Sequence, residues 1–193
     1  MAVGDRESWG RSSCVVIFRS KAKGNRDVVG VIVDFRHALS EVSAGECPEV
    51  AAEYLRQLFD GSAAALNLMD YGHSRYQTLS NVGQLSPGEI RAPESEFYPF
   101  SDFPFTTQHL ARGGAYRSTL RDPNCPQEYR ELLTAQRRTD CLGAPIRLEG
   151  RALGEFWVAR EDGRSFDEVD EDLAVACGAT LARFFRPSWA AAG

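Results

Sequence analysis

The segment DCLGAPIRLEGRALGEFWVARED, residues 140–162, reads as a strand, a Glu-Gly-Arg turn and a second strand from Leu153 to Ala159. Two mainly apolar arms joined by a short polar and glycine break make an antiparallel hairpin, and their composition fits the two inner strands of a sheet. Downstream, GRSFDEVDEDLAVACGATLARFFRP reads as a closing helix. Ser165 and Glu168 have capping-box spacing, Val169, Leu173, Ala176, Cys177, Thr180, Leu181 and Phe184 share a face, and Pro187 is placed to stop it.

Upstream, AYRSTL is a strand and RDPNCPQEYRELLTAQRRT a proline-started helix with Tyr129, Leu132, Leu133 and Gln136 on one side. Before them lies FYPFSDFPFTTQHLARGG, residues 97–114, with five aromatic rings, two prolines and a histidine. Ser101 or Asp102 is placed to cap a short helix that holds Phe103-Pro104-Phe105 in its first turn and ends at Gly113-Gly114. LSPGEIRAPESE is a linker broken by Pro87, Gly88 and Pro93.

The amphipathic helix SAGECPEVAAEYLRQLFDG, with Pro48 near its start and Gly61 at the place of a left-handed cap, precedes two strands in SAAALNLMDYGHSRYQTLSNVG. In the second of these Tyr76, Thr78 and Ser80 carry the alternation. Residues 1–46 read as an extension in which the β-branched runs Val15–Phe18 and Val28–Phe35 form a β-hairpin. Residues 47–187 then make the main domain and residues 188–193 a tail. The fold class expected is α+β with a central antiparallel sheet. The first and last helices of the main domain pack together on one face, and short helices cover the other.

A chain of 193 residues, 43% hydrophobic and 25% charged, has the make-up of one globular domain. Its net charge of −5 argues against nucleic acid or anionic lipid as a partner, since both recruit positive fields. No apolar run approaches a membrane span and Met1–Ser12 is too polar for a signal peptide, so the expected location is cytoplasmic. The cysteines Cys14, Cys47, Cys125, Cys141 and Cys177 are odd in number and widely spaced, which favours reduced thiols over bridges or a zinc site.

The motifs LFDGSAAALNLMDY, LSNVG, FSDFPFTTQHLARGGAYRSTLRDP, LGAPIRLEGRALGEFWVAR and SFDEVDEDLAVACGATLA, in that order, resemble a GAF domain from Pro48 to about Phe185, especially those of actinobacterial signalling proteins. The resemblance implies a pocket between the sheet and the middle helices, where relatives hold cyclic nucleotides, tetrapyrroles, haem or other small molecules and some hold no known ligand. It implies further that residues 97–114 are the lid of that pocket. The cyclic-nucleotide signature is matched only in Phe166 and Asp170-Glu171, with Ala159-Arg160 near the place of its Asn-Lys pair. The bilin-attaching cysteine before a histidine is missing at His37, His73 and His109, although Ser101-Asp102-Phe103-Pro104 is similar to a phytochrome lid. Cys125 and Cys141 do not reproduce the cysteine set of the free methionine sulfoxide reductases.

On this reading the chain is a non-catalytic sensor whose pocket is lined by Phe100, Phe103, Phe105, His109, Tyr116 and Trp157. Asp102 accepts from a ligand or caps its helix, and Arg121 and Arg138 grip an anionic group or form surface ion pairs. The acidic run Asp162, Asp167, Glu168, Asp170, Glu171, Asp172 is explained by a helix start rather than by a metal. The sequence names no cofactor. The partners expected are a small-molecule ligand, a second copy bound through the first and last helices, and a downstream signalling protein. The alternatives are a ligand-free interaction module, and a haem or thiol sensor acting through His109 or Cys141.

Overall fold

A computed structural model describes residues 27–84 and 97–185. Within them the chain runs α1 (Val28–Ser40), α2 (Cys47–Leu58), β1 (Ala63–Asp70), β2 (Arg75–Gly83), β3 (Phe97–Pro99), a 3-10 turn (Phe100–Asp102), α3 (Pro104–Arg112), β4 (Tyr116–Thr119), α4 (Gln127–Ala135), β5 (Asp140–Leu148), β6 (Arg151–Arg160) and α5 (Glu168–Leu181). The strands form one antiparallel sheet in the order β3-β2-β1-β6-β5-β4. The fold class is therefore α+β, as the sequence implies.

The segment 140–162 is the hairpin β5-β6, and neither strand is at an edge. Leu148 pairs with Arg151 across a two-residue turn in which Glu149 and Gly150 both take positive φ (51° and 82°), the backbone twist that closes a tight hairpin. Alternation then divides the strands between two cores. Leu66, Leu142, Phe156 and Val158 bury under α1, α2 and α5, while Met69, Tyr116, Cys141 and Trp157 face α3 and α4. Between Leu66 and Asn67 the register slips, so that Leu66 pairs with Ser80 but Asn67 with Thr78. The extra residue, Leu79, makes a bulge that puts Tyr76 and Thr78 on the α3–α4 face and Ser80 on the other, where simple alternation expects all three together.

Several local expectations are corrected. Val28–Phe35 is helix, the start of α1, and its proposed hairpin partner Val15–Phe18 lies outside the described residues. Its β-branched composition yields to packing, because Phe35 and Leu39 lie one turn apart and both are buried, with Phe35 against the Tyr54 ring at 4.7 Å. Because α1 enters the main core, the packed unit starts ahead of residue 47. The first and last helices of the main domain, α2 and α5, share a sheet face as expected, but α1 is packed against both of them.

The cap of α5 is Asp167, bonded reciprocally with Asp170, rather than Ser165. Val169 is consequently exposed, and the helix ends at Leu181, short of Pro187. After α2 the residue with positive φ is Asp60, not Gly61. Gly61 is needed for space, since a Cβ there would stand 2.3 Å from the Val158 side chain. Gly113, by contrast, ends α3 in the left-handed conformation (φ 88°), as its sequence position implies.

Candidate functional site

Between the sheet and the α3–α4 layer lies a cavity of about 80 Å³. At its floor is Glu155, in the middle of the apolar run of β6 and only 5% exposed. Sheet register places Asn67 of β1 directly opposite, and its Nδ2 donates to Glu155 Oε1 at 3.1 Å. From the other side the Tyr116 hydroxyl donates to Oε2 at 3.0 Å. Tyr116 belongs to β4, two strands away, and reaches Glu155 by laying its ring across β5 at Gly143. A Cβ on Gly143 would stand 2.0 Å from that ring, so a glycine in mid-strand is the condition for the contact.

Burial raises the Glu155 carboxyl to about 7, and the two hydrogen bonds only partly offset it. Burial also pushes the hydroxyls of Tyr116 and Tyr129 well above their ordinary range and the Cys141 thiol up to about 12. The roof comes from α4 and α3. Tyr129 packs edge-on to Tyr116 at 5.5 Å and hydrogen-bonds Thr106 through its hydroxyl. Arg138, just after α4 and 2% exposed, places its guanidinium 4.9 Å from the Trp157 ring centroid and donates to Gln136 and to the Gln84 carbonyl. Trp157 faces the cavity one inward position beyond Glu155 on β6.

No protein-family model matches the chain, and no curated protein does. Solved structures do. The GAF domain of a phosphoenolpyruvate-protein phosphotransferase from Coxiella burnetii superposes with a TM-score of 0.64 at 16% identity, over 81% of this chain and 90% of that one. The fold is that of a GAF domain. A phycoerythrobilin-bound GAF domain from a cyanobacterial phytochrome is also similar, with a TM-score of 0.62 at 13% identity over 83% and 97% of the two chains. So is the chromophore-binding domain of Stigmatella aurantiaca phytochrome P1, with a TM-score of 0.67 at 12% identity; the match covers 84% of this chain and 63% of that one.

Within this GAF fold the residues singled out from the sequence are distributed unevenly. Phe103, Tyr116, Arg138 and Trp157 line the cavity. Phe105 and His109 line a neighbouring open groove of about 450 Å³ along β4, where their rings lie 4.4 Å apart with planes tilted by 44°. Phe100 supports the cavity wall from behind, edge-on to Tyr76 at 4.7 Å.

Asp102 and Arg121 are exposed and lie outside the cavity. Asp102 does not cap α3 either, because the 3-10 turn carries it away and Phe103 takes the cap position without a side-chain bond. Arg138 is buried rather than a surface ion-pair residue. Asp140 is buried at the groove and accepts from Ser165 at 2.9 Å.

Sequence reasoning missed Glu155 and Asn67. A signal was present, since a glutamate in the run LGEFWVA of an inner strand has no water on either face and needs polar company. The described residues contain no group of histidine, cysteine and carboxylate side chains able to hold a metal ion, and no helix among them is long and apolar enough to cross a membrane.

Proposed function

We propose that this GAF-fold chain is a non-catalytic sensory domain of the cytoplasm that binds a small molecule in the cavity above Glu155. It signals through α1, α2 and α5 as a homodimer, to a downstream signalling protein. The observation that carries the reading is the pairing of a buried carboxylate with aromatic walls in an internal cavity. Desolvating a carboxylate costs free energy, and a fold that keeps one facing a void retains a polar anchor that packing alone does not require. The bilin carried by the similar cyanobacterial domain supports the same use of the fold.

Two further observations bear on mechanism. The cavity thiol, Cys141, is shifted away from the reactive thiolate range, which supports binding rather than thiol chemistry. On α1, Val29 and Val33 are 72% and 59% exposed one turn apart, an apolar strip on the outer side of the helix layer that suits a second copy. A ligand acts on such a dimer only by favouring one arrangement of the helices over another.

The size of the cavity, about 80 Å³, favours as a second reading an interaction module whose void holds a few waters. Native mass spectrometry and the visible spectrum of the freshly purified protein, followed by thermal denaturation against a metabolite panel, test both. A retained or stabilising small molecule supports the sensor, because a ligand of the folded state raises apparent stability by mass action. A colourless apo dimer unmoved by the panel supports the module. A Soret band would instead identify haem sensing, with His109 in the groove as the first residue to substitute.

A further inference from the structure

Glu155 lies buried at the cavity floor in neutral company. Its two oxygens accept from the Asn67 amide and the Tyr116 hydroxyl, so the surroundings are arranged for the anion while supplying no counter-charge. Among the described residues no basic side chain forms an ion pair with it. Arg138, the basic residue that lines the same cavity, is engaged elsewhere: it donates to Gln136 and to the Gln84 carbonyl and stands over the Trp157 ring. A carboxylate offers about four acceptor positions, of which the bonds from Asn67 and Tyr116 use two. The walls above it are rich in rings, with Tyr76, Tyr98, Phe103 and Tyr129 joining Tyr116. A buried carboxylate without a counter-charge is costly, and an entering cation relieves the cost. Aromatic rings add attraction for a cation that an anion does not receive.

Resting on the cavity as the binding site, we propose that its ligand is a small organic cation with N–H donors, of the guanidinium or alkylammonium kind, bound to the open acceptor positions of Glu155 and enclosed by the rings. A planar guanidinium offers paired N–H groups that match a carboxylate as a fork, and an ammonium offers the same charge as a point. An anion is repelled by Glu155, and a neutral donor leaves its charge uncompensated. A void of about 80 Å³ suits a molecule of a few heavy atoms and excludes a macrocycle in this conformation. The groups facing Glu155 are Tyr76 of β2, Tyr116 of β4, Tyr129 of α4 and Cys141 of β5, all shifted so that they stay neutral near pH 7, and Arg138 keeps its charge throughout. Binding of a cation therefore draws its proton exchange from Glu155, and affinity rises as pH rises through about 7.

The test uses the full chain and its Glu155→Gln variant with millimolar guanidinium, methylguanidinium and methylammonium at constant ionic strength. Urea, the neutral isostere of guanidinium, and acetate are the controls. Binding is read from thermal stability and from the NMR indole N–H of Trp157, assigned with Trp157→Phe. The expected result is that at least one cation stabilises the chain and moves the Trp157 signal saturably, while neither control does so comparably. Its affinity should rise about tenfold between about pH 6 and about pH 8 in the parent. Glu155→Gln should weaken binding by about tenfold or more and abolish that pH dependence. Equal response to urea or acetate, or unchanged cation affinity in Glu155→Gln, would overturn the proposed ligand class while leaving the cavity as a binding site. Silence from every cation overturns it too, and the broader metabolite panel then decides the sensor reading by itself.

Discussion

Replacing Glu155 by glutamine should change how stability depends on pH more than it changes the fold. In the unfolded chain the carboxyl titrates near its ordinary 4.5, and burial raises it to about 7 in the folded protein. Between these values the folded state holds the proton more tightly. The stability this contributes is fully present below about pH 4.5 and is lost as pH rises through about 7. At about 1.36 kcal/mol per pK unit the loss comes to about 3 kcal/mol, which for a chain of this size is roughly 6–12 °C in Tm.

Glutamine is a neutral isostere. Its carbonyl accepts from Asn67, its amide donates to the Tyr116 hydroxyl once that rotates, and it has no proton to lose. Urea unfolding of both proteins, followed by circular dichroism between about pH 4 and about pH 8, isolates this one group, because every other titration is common to the pair. Glu155→Gln should match the parent at the acid end and exceed it by about 3 kcal/mol at the alkaline end. A stability difference that stays constant across the range would refute the claim that Glu155 is desolvated and without a counter-charge.

Other residues test the framework that holds the cavity. Gly178 of α5 lies so close to β5 that a Cβ would stand 2.1 Å from the Pro145 carbonyl oxygen; Gly178→Ala should cost about 1–3 kcal/mol in urea unfolding, and a neutral result would mean that the helix rests further from the sheet. Asp167→Ala removes the reciprocal cap of α5 and should cost about 1 kcal/mol in the same assay, whereas Ser165→Ala should leave that cap intact. Asp102→Ala and Arg121→Ala, both exposed and outside the cavity, should each stay within about 0.5 kcal/mol of the parent and leave any ligand affinity unaltered; a loss of binding in either would move the site outward onto the lid.

The order of elements from residue 47 onward was legible because its signals are local. Proline at the head of α2 and α3, glycine at the end of α3, the Glu149-Gly150 turn and the apolar stripe Tyr129-Leu132-Leu133-Gln136 each act within a few residues, and all four members of that stripe line the cavity. The segment Val28–Phe35 misleads for the complementary reason. Its β-branched residues favour a strand in isolation, but the stripe Phe35 and Leu39 finds Tyr54 and the helix layer only in the assembled fold.

By itself, then, the sequence determined an α+β chain with an inner hairpin at 140–162, a ring-rich segment at a loop-to-helix corner and Trp157 on a sheet face. Tertiary structure alone decided which polar groups meet. Asn67, Tyr116 and Glu155 come from three strands far apart in sequence and are joined by sheet register and by the absence of a side chain at Gly143. It also decided that Arg138 turns inward over Trp157 while Arg121 stays in solvent. Hydrogen bonding and burial are properties of the neighbours a residue acquires, and those neighbours exist only once the sheet has closed its register.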